Sequence, residues 1–187
     1  MMLSDTLKSE TQTLHDAVER NHFMQKLEAK TFTLEDYKAL LTLFYGLHYM
    51  AEKQLDAFEE LDMPHRERCS HLREDLLSLG STEGMLKKSY DTDLELNIDT
   101  LSKAYGALYV LEGSRMGGMF LTKMLRSHLG EDIPVSYFEG VKEKTPAYVG
   151  AFKTSINERE RELHSKECIQ CAKDVFTFIA YLFARSA

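Results

Sequence analysis

Three side chains near the start of the chain have the types and the spacing for metal chemistry: His15, with Glu19 four residues on and His22 seven. On a single helix the three would share a face. Two kinds of site would use them. One is a haem-iron site, in which His15 is the axial ligand and Glu19 orients its ring. The other is a non-haem metal held by His15, Glu19 and His22 together. A third use is structural: His15 stands beside Leu14 and Val18 on the expected inward face, where a histidine also serves as a hydrogen-bonded core residue. A ferritin-like di-iron centre needs two Glu-x-x-His pairs and two further carboxylates. Only Glu19-x-x-His22 fits that pattern, and it lies near a helix end.

The second unusual stretch is Leu111-Glu112-Gly113-Ser114-Arg115-Met116-Gly117-Gly118. Its apolar spacing is helical, yet each interior glycine costs about 1 kcal/mol relative to alanine, so Gly113, Gly117 and Gly118 need a compensating reason. Close packing of two helices through Gly113-x-x-x-Gly117 is one. A helix that bends and bares its backbone to a flat ligand such as a porphyrin is the other, since a side chain there would occupy the space O2 needs.

Other residues carry less. His48 and Glu52, with Tyr45 and Tyr49, read as a partly buried polar face of a helix. Lys87-Lys88 reads as a solvated pair, and the phenylalanines and nine methionines as core material. Cys168-x-x-Cys171 lacks the two further ligands that zinc requires, and with Cys69 it reads as reduced cytosolic thiol. The chain has no Gly-x-Ser-x-Gly, His-Glu-x-x-His or P-loop motif.

Helices must position these groups. Apolar residues recur at three- and four-residue steps almost throughout, Pro is scarce at three, and no strand-like alternation persists. The pattern predicts a first helix over about 5–21, N-capped by Ser4 and burying Leu7, Thr11, Leu14, His15 and Val18. A second runs from Thr33, with Asp36 completing a capping box, to about Leu61, ended by Asp62-Met63-Pro64. A third covers about 65–79 and closes at Gly80. A polar connection spans 89–99. A long glycine-bearing helix covers 100–128, an irregular piece 134–145, and two closing helices 146–163 and 167–183. With 187 residues, 43% hydrophobic and 28% charged, and no linker or repeat, the chain reads as one all-α domain over 1–187. A net charge of −7 argues against nucleic-acid binding, and neither a secretory signal nor a membrane span is visible. A cytoplasmic protein, monomeric or weakly dimeric, is expected.

Taken together, the two blocks resemble the haem oxygenase family. Leu7 to Glu19 is similar to its proximal helix, including Thr11 four residues before His15, and Asn21-His22-Phe23-Met24 and Thr33 to Tyr37 continue in register. Ala107-Leu108-Tyr109-Val110 through Gly118 resembles its distal helix, above all the bacterial form. There are departures. Mammalian-type members carry an Asp after the first distal glycine, where this chain has Ser114, so Ser114 cannot take a carboxylate's role. Lys8 matches a propionate-contacting position, whereas the second such lysine is replaced by Gln12. Lys144, Lys153 and Arg159 match no motif.

The resemblance implies a haem-binding bundle with haem between the N-terminal proximal helix and a glycine-kinked distal helix. His15 would be the axial iron ligand; Lys8, Gln12, Glu19, Tyr109, Gly117 and Gly118 would contact haem; Gly113, Ser114, Gly117 and Gly118 would form the catalytic face. Haem would be both cofactor and substrate, opened by O2 to biliverdin, carbon monoxide and ferrous iron. Electrons would come from an external reductase or ferredoxin. A haem carrier or sensor on the same fold, or a non-haem metal enzyme of a related helical fold, are the alternatives.

Overall fold

Two local signals in the sequence account for much of the helix pattern. Thr33 accepts a hydrogen bond from the Asp36 N–H while Asp36 reaches back to the Thr33 N–H, the reciprocal cap expected from the sequence. At Gly80 (φ +83°), the Ser81 N–H bonds Leu76 O and the Gly80 N–H bonds Leu77 O, closing the preceding helix in a Schellman motif. A computed structural model describes residues 2–61, 67–90, 96–140 and 144–186. Among these residues there are nine helices and no strand: α1 (Leu3–Glu19), α2 (His22–Glu28), α3 (Leu34–Leu55), α4 (Glu67–Ser78), α5 (Glu83–Ser89), α6 (Leu101–Leu129), α7 (Ser136–Glu139), α8 (Thr145–Glu158) and α9 (Ser165–Arg185).

α6 and α9 pack along one another at the centre. α1 lies across α9 and α8, while α3, α4 and α7 back the other side of α6. The closest approach is at Gly106, where any Cβ would collide with the Cys168 carbonyl of α9. One apolar cluster joins the elements and includes Leu7, Leu41, Leu72, Leu108, Val175 and Phe183. Each such side chain contributes about 1.5–3 kcal/mol when fully buried.

The expected boundaries shift where tertiary contacts outweigh local ones. Ser4 is not the N-cap. α1 begins at Leu3, whose side chain is buried, and the Ser4 N–H is satisfied by Asn157 Oδ1 of α8 at 3.0 Å. α1 ends at Glu19, and Asn21 caps the separate α2 by accepting from the Met24 N–H at 3.1 Å. α3 stops at Leu55, not Leu61, because tight turns follow, with Phe58 N–H on Leu55 O and Leu61 N–H on Phe58 O. Asp62-Met63-Pro64 and His65 lie outside the described residues, as do 91–95 of the connection and 141–143 of the irregular piece. Within that connection Leu96 and Ile98 are buried, and Gln54 Oε1 accepts from the Ile98 N–H at 2.8 Å. α5, α7 and the early end of α8 were not expected. α6 matches its expected span closely, capped by Thr100, and runs unbroken as α-helix through Gly113–Gly118.

Candidate active site

α1 and α6 approach each other where Thr11, buried and bonded to Leu7 O, lies beside the Tyr109 phenol. Burial raises the Tyr109 phenol's pKa, and the neighbouring Thr11 hydroxyl partly offsets the rise. One turn further along each helix come His15 and Gly113, both exposed. α9, which packs on both, supplies Phe176 beneath His15, with ring centroids 5.8 Å apart at 75°.

His15 is not buried as expected: its side chain is 49% exposed. α1 turns Leu7 and Thr11 fully inward but leaves Leu14 and Val18 only partly covered, and His15 lies at the edge of that stripe. Its Nδ1 faces two carboxylates, Glu19 Oε2 at 3.6 Å and Asp16 Oδ1 at 3.8 Å. That pairing leaves Nε2 as the nitrogen available to a metal. His22 does not join them. The chain turns at Arg20–Asn21, and His22 starts α2, its ring tilted against Phe23 at 4.0 Å with Nε2 buried and without a hydrogen-bond partner. Burial is the main cause of its lowered pKa. The His15–Glu19–His22 arrangement is therefore corrected. Among the described residues, the one group of three suited to a metal is His15, Asp16 and Glu19. Lys8 is exposed, and Gln12 donates to Asp16 Oδ1 at 2.6 Å, tying it to the carboxylate beside His15.

The glycines of α6 divide in two. A Cβ on Gly113 or Gly117 would meet nothing within 4 Å, so helix packing does not explain them. A Cβ on Gly118 would sit 2.8 Å from the Phe138 carbonyl of α7, which places Gly118 on the packed side, away from the open face where it was expected. Around Gly113 and Gly117 the open face carries Met116 (49% exposed) and Phe120 (64% exposed), an apolar surface suited to cover by a flat apolar ligand. Ser114 is exposed there too, and its hydroxyl donates to Leu111 O at 2.7 Å.

Behind α6 lies a buried polar set whose members are scattered along the sequence. Arg68 of α4, 4% exposed, donates through Nη1 to Leu111 O at 3.0 Å and to Ser114 Oγ at 3.4 Å, and its guanidinium lies 4.4 Å from the Tyr137 ring centre. Asp75 accepts from the Ser136 and Tyr137 N–H groups, both at 2.9 Å, which fixes the start of α7. Glu112 and Arg115 form a buried ion pair at 2.5 Å. His48 and Glu52 are buried, beyond the partly buried face expected, with Glu52 accepting from the Cys69 N–H at 3.0 Å. A sequence signal existed for this set: Arg68, Leu72, Asp75 and Leu76 recur at steps of four, three and one, which puts two charges on the apolar face of α4. The free thiols of Cys168 and Cys171 are buried, and burial raises both.

These residues fit haem. A histidine offers Nε2 from one wall, bare backbone and apolar side chains form the other, and an aromatic ring lies between. A search among curated proteins finds no match. Solved structures with this fold include a heme oxygenase from Leptospira interrogans (TM-score 0.80, 18% identity, covering 99% of this chain and 100% of that one), heme oxygenase-1 from the cyanobacterium Synechocystis in complex with heme (0.77, 14%, 99% and 92%), and the NO- and CO-bound heme oxygenase of Neisseria meningitidis (0.76, 24%, 100% and 92%). At these identities the likeness shows the fold. The family model for heme oxygenase matches residues 1–185, so the chain belongs to the haem oxygenase family and is a haem-degrading enzyme.

Proposed function

We propose that the enzyme opens haem with O2 to biliverdin, carbon monoxide and ferrous iron in the cytoplasm, drawing electrons from an external reductase or ferredoxin. The observation that supports this reading best is the pairing of His15, its Nδ1 turned to Glu19 and Asp16, with the bare Gly113–Gly117 backbone one turn beyond the Thr11–Tyr109 contact. Bound haem would supply both the iron that takes O2 and the ring that is cut.

His15 Nε2 would hold the iron. Glu19 and Asp16 would fix the imidazole's orientation and strengthen its donation. Phe176 would limit rotation of the imidazole through its edge contact. Gly113 and Gly117 would leave room on the opposite face, while Met116 and Phe120 would exclude water from the ring. Ser114 would order a water there without supplying a carboxylate's charge. Lys8 and Gln12 lie on the exposed face of α1, where they would meet propionates; Tyr109 would set how deep the ring sits, and Gly118 would serve by holding α7 close.

Reconstitution with haem, followed by a reductant under air, tests the assignment. The expected result is loss of the haem spectrum with a bile pigment as product. A stable haem spectrum and no pigment would make the protein a carrier or sensor.

A further inference from the structure

Among the described residues, large apolar side chains are exposed singly, with one exception. Leu34, Met85 and Tyr181 each stand alone on α3, α5 and α9, and Met2 precedes α1. Met116, Met119 and Phe120 instead share little more than one turn of α6, beside Gly113 and Gly117. With 3.6 residues per turn, Phe120 lies about 20° round the helix from Gly113 and Met116 about 60°, whereas Met119 is about 120° away. Met116 therefore borders the bare backbone, and Met119 stands one step further round. Met24, Met50 and Met124 are partly buried against the core.

Burial decides which sulfur atoms can react. Cys168 and Cys171 are buried and Cys69 is partly buried. Burial pushes the Cys168 thiol up to about 11 and the Cys171 and Cys69 thiols up to about 12, so thiolate is scarce at neutral pH. A thioether needs no deprotonation. It takes one oxygen atom from a peroxide and becomes a sulfoxide, which turns a flexible apolar side chain into a polar one. At Met116 that change falls on the apolar surface assigned to the haem ring.

We propose that Met116 is an oxidation site on the open face of α6, where hydrogen peroxide formed beside it makes the sulfoxide and so lowers the affinity of that face for haem. The proposal rests on the haem-degrading reading of the face, whose chemistry brings O2 and electrons there. When that chemistry goes astray, O2 takes two electrons from the external donor and two protons, giving hydrogen peroxide. The O–O bond of the peroxide then breaks. One oxygen atom bonds to Met116 Sδ, and the other leaves as water with both protons. The sulfur is oxidised by two electrons and the peroxide is reduced by two. The sulfoxide oxygen is a hydrogen-bond acceptor, and covering it with the ring leaves it without a partner, which should weaken haem binding by about tenfold. Two thiols reverse the change, giving back the thioether with a disulfide and water.

Two measurements test it, and the chain carries its own controls. Met85 (52% exposed) and Met2 (57%) are at least as open as Met116 (49%), but Met85 stands on α5, which packs on α3, and Met2 lies thirteen residues before His15. In the first, haem-loaded parent is turned over with a reductant under air, and mass spectrometry of its peptides locates each added oxygen atom. Catalase, present throughout, removes peroxide that has reached solvent. Met116 should become the sulfoxide while Met85 and Met2 remain thioethers, with Met119 between them.

In the second, haem-free protein is treated with hydrogen peroxide and then titrated with haem. The parent should lose about tenfold in haem affinity. Met116→Leu, which keeps the volume and the apolar character, should hold its own starting affinity through the same treatment. Met85→Leu should lose as much as the parent. Pigment formation with Met116 oxidised no faster than Met85 would overturn the proposal and leave the haem reading intact. An equal fall in affinity in Met116→Leu and the parent would overturn it too. A parent that takes up haem but forms no pigment and keeps every thioether would sink the functional reading, and the proposal with it.

Discussion

His15 on α1 and Ser114 on α6 are both exposed, but they are held in different ways. The polar partners of His15 are local in sequence, Asp16 and Glu19, and all three side chains are about half exposed or more. Ser114 is held from behind by Arg68, 46 residues away in sequence, whose guanidinium also lies over the ring of Tyr137, itself bonded to His48 89 residues away. One wall of the site is thus a surface helix that presents a ligand. The other is the exposed edge of a buried polar set. Exposed charge pairs contribute about 0–1 kcal/mol, so the first wall relies on its ligand for order. Buried polar groups are costly to leave half satisfied, so the second is fixed in advance.

The largest effect should come from the first wall. Losing a partner of a metal-bound histidine costs about 10- to 100-fold, and losing the ligand itself should exceed that. His15→Ala should therefore abolish measurable turnover and alter the haem spectrum, with added imidazole restoring part of both. An unchanged spectrum and rate would move the ligand elsewhere and remove the contrast between the walls.

Next in size is a pH effect confined to the second wall. The Glu52 carboxyl sits at about 7 in the fold against an ordinary 4.5. The native protein therefore holds this proton more tightly than the unfolded chain does. The stability it contributes is complete below 4.5 and is lost as pH rises through 7. Glu52→Gln should remove this trend, narrowing the difference in unfolding free energy between about pH 4 and pH 8 by on the order of 3 kcal/mol. Denaturant unfolding at the two pH values measures it. Equal pH trends in parent and variant would show that Glu52 is no more buried than Glu19.

The glycines sharpen the comparison within a single helix. Gly118→Leu drives a side chain into the Phe138 carbonyl and should lower the melting stability of haem-free protein by about 1–3 kcal/mol. Gly117→Leu should leave that stability near the parent value, or raise it through better helix propensity, while weakening haem binding. Equal losses in both would mean that the open face is packed after all. The smallest effect is expected from Ser114→Ala. It should slow turnover less than His15→Ala does, since a hydroxyl orders a water but carries no charge. Complete loss of activity with normal haem uptake would give that hydroxyl a larger share of the chemistry.

The same division explains what could be read from the sequence. The spacing of His15 and Glu19, the Thr33–Asp36 cap and the glycines of α6 are local patterns, and the structure has each of these local features. Ser4 was misread as a cap because nothing local shows that Asn157 would satisfy its N–H. His22 was placed with His15 because a periodic pattern does not mark where Asn21 starts a new helix. His48 and Glu52 stood out only as a polar pair, since their burial depends on α4 and α7 closing over them. Gly118 could not be told from Gly117 without α7 in place.

The contacts that seat α1 also fix when the site can exist during synthesis. Its first turn is tied to Asn157, Glu10 pairs with Lys173 across 163 residues, and His15 rests on Phe176. A ribosome adds about 5–20 residues per second, so roughly 8–30 s separate the emergence of Glu10 from that of its partner. Throughout that interval the ligand-bearing helix has no floor beneath it. Haem capture must therefore follow translation of α9, and a nascent chain stalled after α8 should emerge helical in part but unable to hold the cofactor.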